Sequence, residues 1–416
     1  MLIKRIQISN FKSFKDLDIK LGAFNVVVGA NASGKSNFIQ IFRFIRDIAN
    51  LGLENAISLQ GSEYLSNIGV QFPQVLSLKL KIVPEPELEF GLRLDESVIA
   101  KIHEADYQFA LKFEGKRSGF EIERDSLTYN VGYGHFAKSK KKILKEMDII
   151  GTGSIVIRND NSKPKIQLRR PKNIKIKATD VFPPLMRGKM QPKTLLLQTP
   201  FFFFPPVERT LSEIAIYDFD PKLSKKAVPV AGKSELEEDG SNLSLVLKSI
   251  VENTDKKRKL SNLIKDLLPF VDDLATDKFA DRSLLFKLRE SYFPHVYFPA
   301  SFISDGTVNI SALLIALYFE EKGLCIIEEP ERNLHPHLIS KVMDMMKDAS
   351  KNKQIIITTH NPEVVKHTDI ENILLVSRDK EGFSTISRPS KKKEVRIFLK
   401  NQMGLDELYI QNLLED

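Results

Sequence analysis

The segment Gly29-Ala30-Asn31-Ala32-Ser33-Gly34-Lys35-Ser36 constrains this chain more than any other. It follows a short apolar run, Phe24 to Val28, and precedes Phe38, Ile41, Ile45 and Ile48, whose spacing predicts a helix from Ser36 to about Ile48. A strand that feeds a glycine loop into a helix turns backbone N–H groups and the positive helix end toward an anion. Lys35 is placed to neutralise the outer phosphates of a nucleotide, and the Ser36 hydroxyl to complete the oxygen shell of a magnesium ion. The chain therefore reads as α/β. A second Gly-Lys-Ser, Gly232 to Ser234, lacks the upstream glycine and runs into acidic sequence ending at Asp239-Gly240, so it reads as coincidence.

At 416 residues the chain exceeds one ordinary core, which implies two domains or one large domain with an insertion. A hydrophobic content of 42% beside 28% charged residues excludes global disorder. No apolar run approaches the roughly 20 residues of a membrane helix, and the N-terminus alternates apolar and charged residues. The expectation is a cytoplasmic protein without a membrane partner. The single cysteine, Cys325, sits between Leu324 and Ile326 and reads as packing in a buried strand. A net charge of +8 favours solubility and some attraction to polyanions, and leaves nucleic acid open as a partner.

Residues 1 to 28 read as two strands, Leu2 onward to Phe11 and Phe14, then Phe24 to Val28. Between about Val75 and Phe204 the pattern becomes short alternating segments such as Leu76 to Ile82 and Ile155 to Ile157, which predicts a mostly β arm. Its later part is basic: Lys138, Lys140, Lys141, Lys142, Lys145, Arg169, Arg170, Lys172, Lys175 and Lys177. Such a run is either a solvated face or a polyanion-binding surface. Phe201 to Phe204, followed by Pro205 and Pro206, read as a buried connector or a partner contact. From about Asn242 to Leu274 two helical stretches are expected, with Pro269 as a boundary, then strands near Leu284 to Leu288 and Val296 to Phe298. A second α/β section follows: helix Ile310 to Phe319, strand Leu324 to Ile327, helix His337 to Met346 and strand Ile355 to Thr358.

The strand Leu324 to Ile327 ends in Glu328-Glu329-Pro330-Glu331. Adjacent carboxylates there place the first toward a phosphate-bound magnesium and the second where it polarises an attacking water. His360 ends another apolar strand; it reads as a satisfied structural histidine or as a group that senses the terminal phosphate, since open α/β sheets bind ligands at strand ends.

Together these segments resemble the ABC/SMC-like ATPases related to RecF and the OLD proteins, especially the stand-alone bacterial and archaeal type found in antiphage defence loci. Ile6 to Phe14, Gly29 to Asn37, Ser304 to Thr307, Glu328 to His335 and Thr358 to Pro362 carry the match. The resemblance implies a P-loop ABC-type ATPase head, a mixed sheet with flanking helices, bearing a β-rich insertion and a small helical subdomain. Residues 1–74 and 301–416 would form the head, 75–230 the insertion and 231–300 the helical subdomain with connecting strands. It implies ATP and Mg2+ as ligands, with Asn31, Gly34, Lys35, Ser36, Asn37 and Lys12 at the nucleotide, Ser36 and Glu328 on the metal, Glu329 as catalytic base and His360 as switch. Ser304 and Gly306 of the signature Ser304-Asp305-Gly306-Thr307 would reach ATP held by a second subunit, with Asn333 and His335 near the dimer-facing loop. Without that likeness, Ser304 to Thr307 reads as a turn before the helix from Ile310. Gln60 and Gln71 both fit the family's Q-loop glutamine.

Two departures bear on function. About 290 residues separate Lys35 from Glu328 without a long heptad pattern, so tethering of DNA through coiled-coil arms is not expected. The tail after His360 offers no acidic metal cluster of the kind an OLD nuclease domain needs. The expected function is ATP hydrolysis coupled to head dimerisation, controlling a separately encoded nuclease or toxin. The rivals are a RecF-like DNA clamp and a scaffold that binds ATP with scarcely any turnover.

Overall fold

The computed structural model describes residues 2–67, 69–83, 91–93, 98–115, 119–135, 148–172, 174, 175, 177, 178, 188–199, 201, 207–279, 282–400 and 403–414. Lys138, Lys140, Lys141, Lys142 and Lys145 of the basic run, and Phe202 to Pro206, lie outside them. The chain forms two units that interleave in sequence. The first comprises Met1–Gly22, Ala32–Ile214 and Val376–Ser387; the second comprises Ala23–Asn31, Ala215–Leu375 and Arg388–Asp416.

In the first unit, hydrophobic alternation builds one antiparallel sheet. Its strands are β1 (Leu2–Phe11), β2 (Phe14–Lys20), β4 (Gln74–Val83), β5 (Gly91–Arg93), β6 (Val98–Phe113), β7 (Phe120–His135), β8 (Asp148–Asp160) and β9 (Lys163–Arg169). The order is β2-β1-β4-β6-β7-β8-β9, with β5 added on β6. In β4, Leu76, Leu78, Leu80 and Ile82 are buried while Lys79 faces solvent, the period-two pattern of a sheet with one covered face. Ile6 lies opposite Leu80 and Ile8 opposite Leu78, so the β-rich segment continues the sheet that the N-terminal strands begin.

The first 28 residues form three strands, not two. Asn10 and Lys12 take positive φ angles of 57° and 48°, and Phe11 pairs directly with Phe14, so the chain folds back at Lys12-Ser13. A helix spans Lys35–Leu51 and buries Phe38, Ile41, Ile45 and Ile48 together with Phe42 and Phe44. Phe44 lies 5.9 Å from the Phe11 ring and 6.5 Å from that of Phe109, which ties helix to sheet. Cutting Phe44 to alanine would cost about 3–5 kcal/mol of packing.

The second unit carries a parallel sheet in the order β10-β15-β16-β3-β17. Its strands are β3 (Phe24–Val28), β10 (Ala215–Tyr217), β15 (Leu324–Glu328), β16 (Gln354–Thr359) and β17 (Ile373–Arg378); the last three residues of β17, and β18 (Ser384–Ser387) after it, belong to the first unit. β3 and β16 are buried along their whole length, which is why they read as continuous apolar runs. A smaller sheet holds β11 (Val228–Pro229), β12 (Val271–Phe279), β13 (Ser283–Glu290) and β14 (Tyr297–Pro299).

The expected helical stretch to Leu274 is shorter than its apolar spacing suggests. Helices span Leu243–Val251 and Thr254–Leu267, and β12 begins at Val271. Asn253 caps the second helix by accepting the Lys256 N–H, so the break falls there, ahead of Pro269. The helix expected from Ile310 spans Asp305–Tyr318, because the Ser304 hydroxyl accepts the Thr307 N–H at 3.2 Å and caps it. Thr307 to Leu317 of this helix are all buried, as its apolar composition on every side requires.

Candidate active site

In the first unit the later half of the glycine loop is held from outside. Gly34 sits at φ 120°, and a Cβ there would lie 2.2 Å from Ser384 Oγ, so only glycine fits. Ser384 Oγ donates to the Ser33 carbonyl at 2.6 Å and lies 2.8 Å from Ser13 Oγ, which accepts from Asn37 Nδ2 at 2.7 Å. Arg378 donates through Nε and Nη2 to the Ala32 carbonyl at 3.1 and 3.0 Å. The helix from Lys35 has no side-chain cap at Gly34 and no acidic residue in its first turn. That leaves its positive end fit for an anion supplied from outside the chain.

Beside this loop, within the same unit, lies a pocket of about 660 Å³ lined in part by Lys12, Ser13, Asn37, Tyr64, Asn67 and Arg378. Burial pushes the Lys12 amine below its ordinary range, the mark of a cation whose desolvation is not offset by a carboxylate. Asn67 Oδ1 accepts the Gly69 N–H at 2.8 Å, while its buried Nδ2 has no partner among the described residues. Gln60 and Gln71 are not among the residues lining this pocket.

In the second unit, sheet register assembles the remaining candidates. Glu328 pairs with Thr358, and Thr359 with Val28, so Gly29 to Asn31, Glu328-Glu329 and His360 all leave the same carboxyl edge of parallel strands. Glu329 takes a positive φ of 44°, its N–H bonds the Thr358 carbonyl at 3.0 Å, and its Oε1 lies 2.8 Å from His360 Nδ1. Its Oε2 accepts from Arg332 Nη2 at 3.1 Å, while Arg332 Nη1 donates to Asp218 at 2.9 Å. Burial alone would push the Glu329 carboxyl up, but Arg332 and His360 outweigh it and hold the group below its ordinary value.

Glu331 is almost fully buried, accepts the Thr359 hydroxyl, and is pushed up by burial. The signature segment packs on the same loop: a Cβ on Gly306 would lie 2.5 Å from the Asn333 carbonyl, and Asn309 Nδ2 donates to the Arg332 carbonyl at 2.8 Å. Asp305 pairs with Lys225. His335 caps the helix Pro336–Ala349, its Nδ1 2.7 Å from that of His337.

The strand order thus gathers Asn31, Glu328, Glu329, His360, Ser304 and Gly306 in one unit, and Lys12, Gly34, Lys35, Ser36 and Asn37 in the other. Arg378, Ser384, Asn67, Arg332 and Glu331 escaped sequence reasoning; Arg378, Ser384 and Glu331 act through contacts between distant segments, and Arg332 reaches both Glu329 nearby and the distant Asp218. Only the Glu331 position, inside an acidic run after a strand, carried a signal that could have been used. Magnesium is a hard cation satisfied by one or two protein oxygens plus phosphate and water. The Ser36 hydroxyl in one unit and the Glu328 carboxylate in the other are each an oxygen donor of that kind, and the described residues contain no cluster of three or more His, Cys, Asp or Glu.

Residues 1–181 match a family model described as "AAA ATPase domain", and residues 206–366 one described as "AAA domain, putative AbiEii toxin, Type IV TA system". The chain is 26% identical over 124 residues to Septu protein PtuA of Bacillus thuringiensis, a match covering 27% of this chain and 29% of that protein. It is 28% identical over 91 residues to the uncharacterized protein MJECL43 of Methanocaldococcus jannaschii, covering 21% of this chain and 24% of that one. Each match thus spans less than a third of the relative's own length. A solved SMC head bound to the C-winged helix domain of ScpA aligns over 93% of this chain and 98% of its own, at 16% identity and a TM-score of 0.46.

Proposed function

Residues 1–181 and 206–366 match AAA ATPase family models, and we propose that the chain is an SMC-like, ABC-type P-loop ATPase that hydrolyses ATP in a site completed by a second copy of itself. Lys35 and the helix end at Ser36 neutralise the phosphates, Asn31, Gly34 and Asn37 shape the loop around them, and the pocket beside Lys12 takes the nucleoside. Bound Mg2+, held by Ser36 and Glu328, would supply charge neutralisation at the outer phosphates. Glu329 accepts the proton of the attacking water, and His360 holds that carboxylate in position and faces the terminal phosphate. Ser304 and Gly306 of the partner copy complete the contact, so loss of the γ-phosphate releases the dimer.

The observation that carries this reading is the 2.8 Å bond between Glu329 and His360 at the ends of adjacent parallel strands, on the edge where the glycine loop begins. On this reading residues 1–74 and 301–416 are the head, 75–230 its insertion and 231–300 the helical subdomain. The dimer would hold or release a separately encoded nuclease or toxin in antiviral defence, a setting supported by the likeness to Septu protein PtuA.

ATP hydrolysis and solution mass, measured on Lys35→Ala, Ser304→Arg and Glu329→Gln, test the scheme. The first two should abolish turnover, and the third should trap a larger, ATP-dependent species. Normal turnover by a monomeric Ser304→Arg protein would sink the composite site.

One observation favours a RecF-like clamp instead. Lys163, Lys165 and Arg169 are exposed along the edge strand β9, and Arg158 lies opposite Lys165. Duplex DNA binding that requires ATP and weakens steeply with salt would support that alternative.

A further inference from the structure

We infer that Glu331 is a positioning residue that sets the place of His360, and through it of Glu329; the inference rests on the roles proposed for those two. The loops that end β15 and β16 are joined by three side-chain or backbone links. The Glu329 N–H bonds the Thr358 carbonyl at 3.0 Å, Glu329 Oε1 meets His360 Nδ1 at 2.8 Å, and Glu331 Oε1 accepts the Thr359 hydroxyl at 2.5 Å. The third is the buried one: Glu331 is 7% exposed and Thr359 0%. His360, by contrast, is exposed.

The Glu331 link reaches both neighbours of His360. Thr359 Oγ1 donates to Glu331 and accepts the Asn361 N–H at 2.9 Å, and Asn361 Oδ1 accepts the Glu363 N–H at 2.9 Å to cap the helix Pro362–Lys366. On the other loop, the Glu331 carbonyl accepts the Leu334 N–H at 3.0 Å. Removing the Glu331 carboxyl therefore takes away the acceptor that fixes the Thr359 hydroxyl, the group that also accepts the Asn361 N–H on the far side of His360.

A buried carboxyl is an expensive way to fill space. Its Oε2 has no hydrogen-bond partner among the described residues, and an unsatisfied buried polar atom is destabilising. An apolar side chain would pack there without that cost, but it would leave the Thr359 hydroxyl without its acceptor. What the carboxyl contributes is direction: it holds one threonine rotamer, and that threonine holds the histidine's backbone.

The test compares Glu331→Ala, Glu331→Gln, Thr359→Val and Thr359→Ser with His360→Ala and Glu329→Gln, measuring kcat and KM for ATP alongside melting temperature. Loss of positioning should lower kcat by roughly 10- to 100-fold in Glu331→Ala and Thr359→Val, with KM within about twofold. Glu331→Gln and Thr359→Ser keep the acceptor and the donor and should stay within about threefold of the parent. Glu331→Ala combined with His360→Ala should be no slower than His360→Ala alone, since both act on one unit.

Wild-type kcat in Glu331→Ala, additive losses in the double variant, or a Glu331→Gln as slow as Glu331→Ala would each overturn the inference. Should Glu331→Ala fail to fold, Thr359→Val against Thr359→Ser decides it alone: equal rates refute. If Glu329→Gln itself turns over normally, the underlying catalytic reading fails, whatever Glu331 does.

Discussion

Gly34→Ala separates two physical effects at the glycine loop. The new Cβ would meet Ser384 Oγ at 2.2 Å and Ser384 Cβ at 2.9 Å, with Ser13 Oγ at 3.3 Å, while φ 120° is a conformation that alanine avoids. The backbone strain costs about 1–3 kcal/mol. Moving Ser384 aside to relieve the overlap breaks its bond to the Ser33 carbonyl, a further loss of about 0.5–1.5 kcal/mol. If the loop escapes by leaving this conformation, the binding-competent fraction falls by the sum, about 1.5–4.5 kcal/mol, or roughly 10- to 2,000-fold in affinity. Titration of a fluorescent ATP analogue measures it directly. Adding Ser384→Gly removes both Ser384 contacts and leaves the φ strain, so it should restore affinity only in part. Unchanged affinity in Gly34→Ala would refute the reasoning, and complete rescue by Ser384→Gly would show that the φ contributes nothing.

Two further predictions follow from charge. Arg332 is one of the groups holding the Glu329 carboxyl below its ordinary value, so Arg332→Gln should raise that value and move the acidic limb of the pH–rate profile for ATP hydrolysis to higher pH; an unmoved limb would exclude Glu329 as the titrating base. Asp125 accepts from Leu196 N, Asn159 Nδ2 and the Tyr107 hydroxyl, yet burial pushes its carboxyl up to about 7. The unfolded chain releases that proton near 3.8 and the folded chain only near 7, so the stability this group contributes is fully present below about pH 4 and is lost, on the order of 4 kcal/mol, as pH rises from there to 7. Chemical denaturation from pH 4 to 8 should show that decline, flattened in Asp125→Asn; a parallel decline in the variant would assign it to other groups.

Local spacing made the strand–loop–helix at Gly29 to Ser36 legible, because two glycines, a lysine and a hydroxyl in that register serve one kind of turn. It also exposed the acidic end of β15 and the buried β16 before His360, since strands covered on both faces must be apolar throughout. Boundaries were less legible where capping competes with periodicity. Ser304 caps a helix that begins at Asp305, ahead of the apolar spacing that starts at Ile310, and the helix Thr254–Leu267 stops before the apolar spacing that runs on to Leu274.

What the chain determined by itself is therefore the set of chemical groups and the strand or loop each one ends. Only tertiary structure decided which of them meet. Parallel pairing of β3, β16 and β15 brings Asn31, His360 and Glu329 to one edge from positions far apart in sequence, and a one-residue slip in that pairing would turn every side chain of a strand to the opposite face. Likewise Ser384 against Gly34, Arg378 on Ala32, and Thr359 on Glu331 are contacts between segments whose separation no local pattern encodes. Their partners are chosen by packing, which depends on the whole fold.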